Sequence, residues 1–238
     1  MSDTFDGIVL TIGSIKIPIQ QSILVWLILC VIFAILFIVV GKKFQKADPS
    51  ETPHGVLLLA EIVYNMAISI IGDNLGQRTK KFLPFFGTLI LMMGVSNLCG
   101  LLGVQPPTSN LSVTATFGLM MFVLIQYTAI KEQSLKGRLK GLLEPVAALA
   151  PLNVIGELAL PLSLAFRLFG NILGGTIIVS LIYSVIKMIA GMFLPLIGLG
   201  YIVTPFVHCY FDIFSGLMQT YIFFTLSSYF LGDVTVQD

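Results

Sequence analysis

Long stretches of this sequence contain no charged residue. No Asp, Glu, Lys or Arg lies between Lys16 and Lys42 or between Lys81 and Lys131, and three further uncharged runs follow Arg167. A helix needs about 20 mostly apolar residues to cross the hydrocarbon core of a bilayer. Charged residues make up 11% of the chain, whereas they make up roughly a quarter of a typical soluble domain. The sequence therefore predicts an all-α polytopic membrane protein with a single membrane domain, residues 1–238.

We expect five transmembrane helices plus one amphipathic interfacial helix. The crossings are expected at 20–41, 82–104, 113–130, 146–190 and 199–231. A helix from Pro145 to Ala190 would be about 69 Å long at roughly 1.5 Å per residue, which far exceeds a hydrocarbon core of about 30 Å. The last two helices are therefore expected to be long and steeply tilted, with Pro151 and Pro161 as bend points.

The amphipathic helix is expected at 55–73. Polar side chains recur there every four residues, at Glu61, Asn65, Ser69 and Asp73. This spacing places them in one stripe on an otherwise apolar helix. Such a helix lies in the membrane interface or packs sideways on its neighbours.

The basic residues predict the orientation in the membrane. Ten of the 13 Lys and Arg residues flank helix ends that we expect on the cytoplasmic side. The linkers QPPTSNLS and GMFLPLIGLG contain none and are expected outside. With five crossings, the N-terminus is outside and the C-terminus is cytoplasmic. The first residues, MSDTFDGIVL, do not predict a removable signal peptide.

Several classes of site are not expected. Cys30, Cys99 and Cys209 are scattered and odd in number, which does not predict a disulfide framework. His54 and His208 lack the spacing of metal ligands, so we expect no metal and no cofactor. A net charge of +1 predicts no nucleic-acid partner. Without a Gly-Lys-Ser/Thr nucleotide-binding loop, we expect no catalytic site on this chain.

Arg167 is a charged residue inside the apolar segment LPLSLAFRLFGNILGG. An arginine near the centre of a membrane helix costs roughly 2.5–3.5 kcal/mol on insertion scales. Apolar residues extend far on both sides, so its side chain is badly placed to reach the interface. Its guanidinium stays charged, so it serves as a fixed electrostatic partner and not as a proton carrier. The alternative is a buried arginine paired with an acid of this chain, although none lies three or four residues away.

Small residues share the helical face of Arg167. Ser163, Gly170 and Gly174 would let another helix approach closely, although ordinary tight packing explains the glycines equally well. Asn171 lies one turn from the arginine and is expected to orient the guanidinium or to bind a visiting carboxylate. The segment predicts a smooth groove with a permanent positive charge.

Two acids lie inside the long apolar segments. Glu157 precedes Arg167 by ten residues, about 15 Å along a continuous helix. Asp212 lies in the last segment, with Gly216 and Gln219 following it on the same predicted face. Intramembrane carboxylates usually line water or a proton path. On opposite sides of a central cation, they are expected to line two offset aqueous half-paths; the alternative is two interfacial acids near helix ends.

Three motifs resemble one known family. LSLAFRLFGNILGG is similar to the signature of the a subunit of rotary (F-type) ATP synthases, bacterial type. PPTSNLSVT, from Pro106 to Thr114, resembles the loop that leads into the third crossing of that subunit, and GLMQTYIFFTLSSYFLG resembles its last helix. The resemblance extends in order over most of the chain, from GVLLLAEIVY to the C-terminus.

The resemblance implies a function and a set of partners. In this family, ions enter by one half-channel, neutralise a carboxylate on a rotating ring of c subunits, and leave by the other half-channel. Ion flow is thereby coupled to rotation and ATP synthesis. The implied partners are the c-subunit ring, the peripheral stalk b subunits, the lipid bilayer and, indirectly, the soluble catalytic head. The implied location is the bacterial plasma membrane.

The resemblance also implies residue roles. Arg167 matches the essential arginine, and Asn171 and Gln219 match the polar residues beside it. Asp212 occupies the place of a channel-lining ionisable residue, and Glu157 matches an acid before the arginine. The small residues expected to face the c-ring are Ser163, Gly170, Gly174 and Gly216. The sequence departs from the pattern of several members at Thr176, Asn110 and Leu160, so the outer half-channel is expected to depend more on Asp212 alone.

Two alternative functions belong to other classes. One is a secondary transporter or channel that binds an anionic substrate at Arg167. Such transporters often contain internal repeats with matching broken helices, and the two halves of this sequence do not mirror each other. The other is a structural membrane subunit without a conduction role, which would not require three intramembrane ionisable residues. The ion, a proton or Na⁺, stays open because its choice rests mainly on the ligands of the ring.

Overall fold

The computed structural model describes residues 7–12, 15–48, 52–143, 146–192 and 199–235. Its helices are α1 (Gln21–Lys46), α2 (Val56–Leu75), α3 (Thr79–Leu98), α4 (Leu111–Leu143), α5 (Ala150–Met192), α6 (Leu199–His208) and α7 (Gly216–Val234). The predicted all-α polytopic class is confirmed. One short element was not predicted: an antiparallel hairpin of β1 (Gly7–Ile12) and β2 (Ile15–Gln20) precedes α1.

Four helical stretches of the described residues are long and apolar enough to cross a membrane. They are Gln21–Lys46, Val56–Leu102, Leu111–Leu143 and Ala147–Ile189. The second stretch joins α2 to α3 through a 3-10 turn that begins at Gly76, whose backbone (φ 52°, ψ −126°) is not helical. A further helical segment, 199–234, follows as α6 and α7. Where each crossing begins and ends in the bilayer stays a prediction.

Aromatic side chains fill the centre of the helical body. Phe86 of α3, Phe117 of α4, and Phe223 and Phe224 of α7 are fully buried. The rings of Phe86 and Phe224 meet edge to face with centroids 6.0 Å apart, a geometry that aromatic pairs prefer. Phe117 and Phe223 pack similarly, with centroids 6.4 Å apart. This aromatic cluster joins α3, α4 and α7 into one core.

Helix α5 packs on α4 through a close backbone contact. A Cβ atom added to Gly118 of α4 would lie 2.6 Å from the carbonyl oxygen of Pro161 in α5. Gly118 is therefore required for the approach of the two helices. The inward residues Leu164 and Leu168 of α5 are 2% and 0% exposed, and no described residue covers the outward side of the helix around Phe166 and Arg167.

A kink near the end of α4 redirects the chain. Ser134 has φ 63° and ψ 155°, which is not helical, and helical structure resumes after it up to Leu143. Positive φ at a non-glycine residue is uncommon. The basic residues expected in a loop, such as Arg138, therefore lie on a short helical extension that turns back toward α5.

The polar stripe of α2 is exposed. Glu61, Asn65, Ser69 and Asp73 all lie on the outer side of the helix. The opposite side buries a set of apolar residues against α3 and α7: Ala67, Ile70, Ile71 and Leu75. The helix thus packs sideways on its neighbours, which is one of the two arrangements that the sequence predicts for it.

The last two helices are joined by a π-helical turn, Cys209–Ser215, which contains Asp212. The π-helix has a wider turn than the α-helix and is rare, and single π turns occur frequently at functional sites. This turn lies against α5 through Ser215 and Asn171 and against the end of α3 through Asp212 and Gly100.

The contact between Gly118 and Pro161 gives a stability prediction. Gly118→Ala forces a methyl group against a backbone carbonyl, so we expect a loss of about 1–3 kcal/mol, as for other overpacked sites. The measurement is the thermal unfolding midpoint of the purified protein in detergent. Gly94→Ala is the matched control, because a Cβ there meets nothing within 4 Å. Equal midpoints for the two variants would contradict the proposed close contact.

Candidate functional site

One side of α5 carries small residues around Arg167. Gly156, Ala159, Ser163, Arg167 and Gly170 are all exposed and recur every three or four residues, which places them in one row along the helix. A Cβ added at Gly156 or Gly170 would meet nothing within 4 Å. The row therefore borders space that the described residues do not fill, unlike glycines that serve packing within the chain. We call this row the open face of α5.

Gly174 continues the open face at its far end, where a Cβ would also meet nothing within 4 Å. A shallow cavity of about 290 Å³ lies beside Arg167, between the open face and α7. Ser163 and Ala159 of α5 line it together with Leu226 and Phe230 of α7. The guanidinium thus lies where the open face meets α7.

Arg167 forms no ion pair with a carboxylate of the described residues. The two acids expected near it have other basic partners: Glu157 pairs with Arg138 and Asp212 with His208. This arrangement disfavours the alternative in which the arginine is paired with an acid of its own chain. The positive charge on the open face is free to act on a group from outside this chain.

Asn171 lies near Arg167 in sequence but bonds elsewhere. The Ser215 hydroxyl donates a 2.6 Å hydrogen bond to its Oδ1, and its Nδ2 donates to the Ser215 carbonyl at 3.4 Å. Its amide therefore links α5 to the π-helical turn, in contrast to the expectation that it orients the guanidinium. Ser215 thus provides a hydrogen-bond partner for both the oxygen and the nitrogen of this half-buried amide.

Gln219 is a buried polar residue of α7. It is 7% exposed, and its Nε2 donor is fully buried without a hydrogen-bond partner among the described residues. A buried donor left unpaired costs about 1–3 kcal/mol. Within the described residues, no contact offsets this cost.

The placement of Gly216 corrects a prediction. It was expected on the face toward another subunit, but it is buried against α3, where a Cβ would lie 3.1 Å from Cβ of Asn97. Asn97 donates hydrogen bonds of 3.0 Å to the Gly216 carbonyl and to Thr220. Gly216 is small because it allows this contact within the chain.

Glu157 lies in a polar cluster at one end of the site. Its carboxylate accepts a 2.6 Å charged hydrogen bond from Arg138 and a 2.9 Å hydrogen bond from Gln126. The cluster borders a cavity of about 550 Å³ between α4, α5 and α7, which Asn153 and Asp233 also line. Glu157 is therefore accessible from a polar cavity and is held by a specific cation.

The role of Arg138 does not follow from the sequence, which shows only a basic residue near a helix end. Its contact with Glu157 depends on the kink at Ser134. No local spacing signals a contact between residues separated by such a bend.

Asp212 lies in a second polar cluster. Its Oδ2 is 2.6 Å from Nδ1 of His208, and Nε2 of that ring is 2.7 Å from the Tyr183 hydroxyl. The carboxylate also lies against Gly100, where an added Cβ would be 3.3 Å from its Cγ. This contact of His208 was not predicted from the sequence. Its position four residues before Asp212 was the available signal, because such residues are neighbours on a helix.

Contacts between α5 and the last segment show where each acid lies along the axis of α5. Asn171 contacts Ser215, Gly175 contacts Phe211, and Tyr183 contacts His208, so the two segments run antiparallel. Asp212 is therefore level with about Gly174, roughly 10 Å beyond Arg167 at about 1.5 Å per residue. Glu157 lies about 15 Å from the arginine in the other direction. The two acids lie on opposite sides of the cation.

The three departures from the family pattern have local hydrogen bonds or packing. Thr176 is exposed and its hydroxyl donates to the Ile172 carbonyl at 2.9 Å. Asn110 accepts a 2.8 Å hydrogen bond from the backbone N–H of Ser112 and so supports the start of α4. Leu160 packs against the buried core. Among the described residues, no group of three or more His, Cys, Asp or Glu side chains could hold a metal ion.

Comparison with known proteins gives consistent matches. The family described as ATP synthase A chain matches residues 22–232. ATP synthase subunit a of Mycoplasma pneumoniae is 34% identical over 232 residues, covering 89% of this chain and 77% of that protein. ATP synthase subunit a 2 of Bradyrhizobium sp. is 34% identical and covers 80% and 79%. ATP synthase subunit a 2 of Acaryochloris marina is 30% identical and covers 91% and 85%.

The pair of Arg138 and Glu157 gives a test by charge reversal. Their side chains are 17% and 29% exposed, so we expect the pair to stabilise the fold more than a surface pair does. Arg138→Glu or Glu157→Arg alone should lower the unfolding midpoint by roughly 2–4 °C per kcal/mol lost, because each places like charges together. The double variant should recover most of the loss. A double variant no more stable than the single ones would contradict direct pairing.

Proposed function

We propose, since this chain belongs to the family of ATP synthase A chains, that it provides two offset half-channels to a c-ring. The family is the ion-translocating membrane part of ATP synthase, and its members function in a complex that contains the c-ring. The chain is accordingly a multi-pass membrane subunit of that complex, and this membership displaces the transporter hypothesis. The half-channels and the roles of individual residues are our proposal.

The unpaired cation on the open face carries this proposal. A carboxylate of a ring subunit that faces lipid prefers to be neutral, because desolvation disfavours its charged form. A cation within about 4 Å favours the charged form by roughly 4 kcal/mol at an effective dielectric constant near 20. Arg167 thus makes each passing carboxylate release its ion at one point of the rotation.

The shape of the open face supports contact with a ring helix. Ser163, Gly170 and Gly174 leave room for a partner helix to approach closely. Large side chains beside this row, including Phe166 and Leu173, are exposed by 56% and 43% and would face lipid or the partner. A row of small residues around a fixed charge suits a surface that slides past without locking.

The two polar clusters supply the two half-paths. The cavity beside Glu157 would connect one side of the membrane to the part of α5 that precedes Arg167. The cluster of Tyr183, His208 and Asp212 would connect the other side of the membrane to the part of α5 that follows Arg167. Following the distribution of basic residues, we place the Glu157 path on the cytoplasmic side and the Asp212 path outside.

The offset between the paths makes rotation obligatory. An ion that reaches one path can gain the other only by travelling around the ring on a carboxylate. Arg167 blocks the direct route, because its charge repels a cation that moves straight from one path to the other. The resemblance matches Gln219 to a polar residue beside the arginine, and its buried amide would have to turn out of the core of α7 to meet a ring carboxylate.

The exposed stripe of α2 is the candidate contact for the peripheral stalk. Its polar groups lie on a membrane helix whose other side is packed into the core, so they would otherwise face lipid. Polar residues stabilise helix association within a membrane by hydrogen bonding across the contact. A stalk b subunit that packs there would hold this chain still while the ring turns.

The role of Arg167 gives a direct functional prediction. Arg167→Ala should reduce ATP synthesis driven by an ion gradient about a thousandfold, which corresponds to the loss of roughly 4 kcal/mol. The measurement is ATP synthesis in membrane vesicles, with copurification of the c-ring as a check on assembly. Lys187→Ala is the matched control, because Lys187 is another exposed cation of α5, and it should leave synthesis unchanged. Normal synthesis in an assembled Arg167→Ala complex would overturn the proposed function.

The stalk contact is tested with a photoreactive side chain. Placed at Asn65, it should crosslink to the b subunit in native membranes. At Tyr127, which is 63% exposed on α4, the same probe should label lipid because that surface is apolar. Crosslinks from Asn65 to lipid alone would count against this assignment.

A further inference from the structure

We propose that the groove between α3 and α4 binds one anionic phospholipid, with an acyl chain along the groove and the headgroup at Lys81 and Lys131. Neither the half-channels nor the stalk contact uses this surface. The inference requires only that the chain lies in a membrane, so it goes beyond the proposed function and does not depend on it.

The groove exists because α3 and α4 pack mainly on other helices. Helix α3 packs on α2 and α7, whereas α4 packs on α5 and α7. The space between α3 and α4 is a cavity of about 450 Å³. It is lined by Phe85 of α3 and by residues of α4 that include Thr116, Leu119, Met120, Val123 and Tyr127. Most of these side chains are apolar, so the groove suits a hydrocarbon chain.

Helix α1 covers one end of the groove. A second cavity of about 210 Å³ shares Thr116 and Met120 with the first, and Ile23 and Trp26 of α1 line it. The Trp26 ring meets the buried Phe117 ring edge to face, with centroids 5.2 Å apart. The groove is therefore closed near Trp26, while its side toward the bilayer is open.

Two lysines lie beyond the other end of the groove. Lys81 precedes Phe85 by four residues, and Lys131 follows Tyr127 by four residues. Residues four apart lie on the same side of a helix, so each lysine lies one turn past a residue that lines the groove. Both lysines are exposed.

An ion pair joins the two helix ends that carry these lysines. Arg78 Nη1 is 2.7 Å from Glu132 Oε1, so the beginning of α3 and this part of α4 lie side by side. Glu132 is thereby paired, and neither Lys81 nor Lys131 forms an ion pair with a carboxylate of the described residues. The end of the groove thus carries two positive charges that a phosphate can meet.

These charges select a headgroup with a net negative charge. A zwitterionic headgroup such as that of phosphatidylcholine brings its own cation to the lysines, whereas that of phosphatidylglycerol does not. Lysines near the membrane surface attract anionic lipids. The chemistry of the site therefore distinguishes one bound anionic lipid from the bulk lipid around the protein.

The length of the groove fits a lipid of one leaflet. Thr116 and Tyr127 are 11 residues apart, which corresponds to about 16 Å along α4. Half of a hydrocarbon core of about 30 Å is roughly 15 Å. A transmembrane helix of another subunit would need a groove across the whole core, and Trp26 closes this one. A soluble anion would leave the apolar part empty.

Trp26 can report on the bound lipid because it is the only tryptophan of the chain. The purified full chain is reconstituted in vesicles of phosphatidylcholine and phosphatidylglycerol, with one of the two lipids brominated toward the ends of its acyl chains. Bromine quenches tryptophan fluorescence on contact. We expect brominated phosphatidylglycerol to reach half-quenching at a mole fraction about tenfold lower than brominated phosphatidylcholine. Each lysine contributes about threefold once salt has screened part of its attraction.

The charge variants are Lys81→Gln and Lys131→Gln. Each should reduce the preference for phosphatidylglycerol about threefold, and the double variant should abolish it. Lys136→Gln is the matched control, because Lys136 is an exposed lysine of the same helix beyond the kink at Ser134. It should keep the parent preference. These substitutions change exposed side chains, so we expect the variants to fold.

A groove variant tests the acyl-chain contact separately. Val123 is 62% exposed and lines the groove, so Val123→Phe should fill part of the space without disturbing the core. We expect about threefold more brominated phosphatidylglycerol to be needed for half-quenching. Parent-like quenching in this variant would contradict an acyl chain in the groove.

The remaining outcomes identify other occupants. Equal quenching by the two brominated lipids would overturn the proposal in favour of bulk lipid, and so would a double lysine variant with the parent preference. In native membranes, the photoreactive side chain at Tyr127 should label an anionic phospholipid of the assembled complex. Capture of a protein helix there would also overturn the proposal. None of these results changes the expected effect of Arg167→Ala on ATP synthesis, which tests the proposed function by itself.

Discussion

A fixed positive charge on an uncovered helix face is the constraint on which the rest of this structure depends. The guanidinium of Arg167 cannot lose its proton, and no carboxylate among the described residues pairs with it. Held in an apolar segment, this charge is costly unless an anionic group comes to meet it. The small residues in the same row, such as Ser163 and Gly170, leave the space through which such a group can arrive.

The remainder of the fold fixes the position of that face and holds Glu157 and Asp212 with other partners. The aromatic cluster around Phe117 and Phe223 anchors α4 and α7, and the contact of Gly118 with Pro161 fixes α5 on α4. Arg138 holds Glu157 and His208 holds Asp212. Each acid is thus supported by its own partner, and the arginine stays available for a carboxylate from another subunit.

Much of the fold follows from the sequence, because charge-free runs predict membrane helices directly and a single arginine is conspicuous within them. The row of Ser163, Arg167 and Gly170 follows from helical spacing alone. The burial of Gly216 could not be predicted in this way. Helical spacing shows which residues share a face, but not which other helix covers that face, and α3 covers the face that contains Gly216. The pairing of Arg138 with Glu157 required a kink that has no sequence signal, whereas the spacing of His208 and Asp212 was visible and was read only for metal binding.

The central claim is that Arg167 acts on a charge that another subunit brings. The most direct measurement is a density map of the assembled complex by electron cryo-microscopy, at a resolution that shows side chains. The account predicts that the guanidinium faces a ring subunit and that, at one rotational position, a ring carboxylate lies within about 4 Å of it. A map in which the Arg167 side chain pairs with an acid of its own chain, or faces only lipid, would contradict the account.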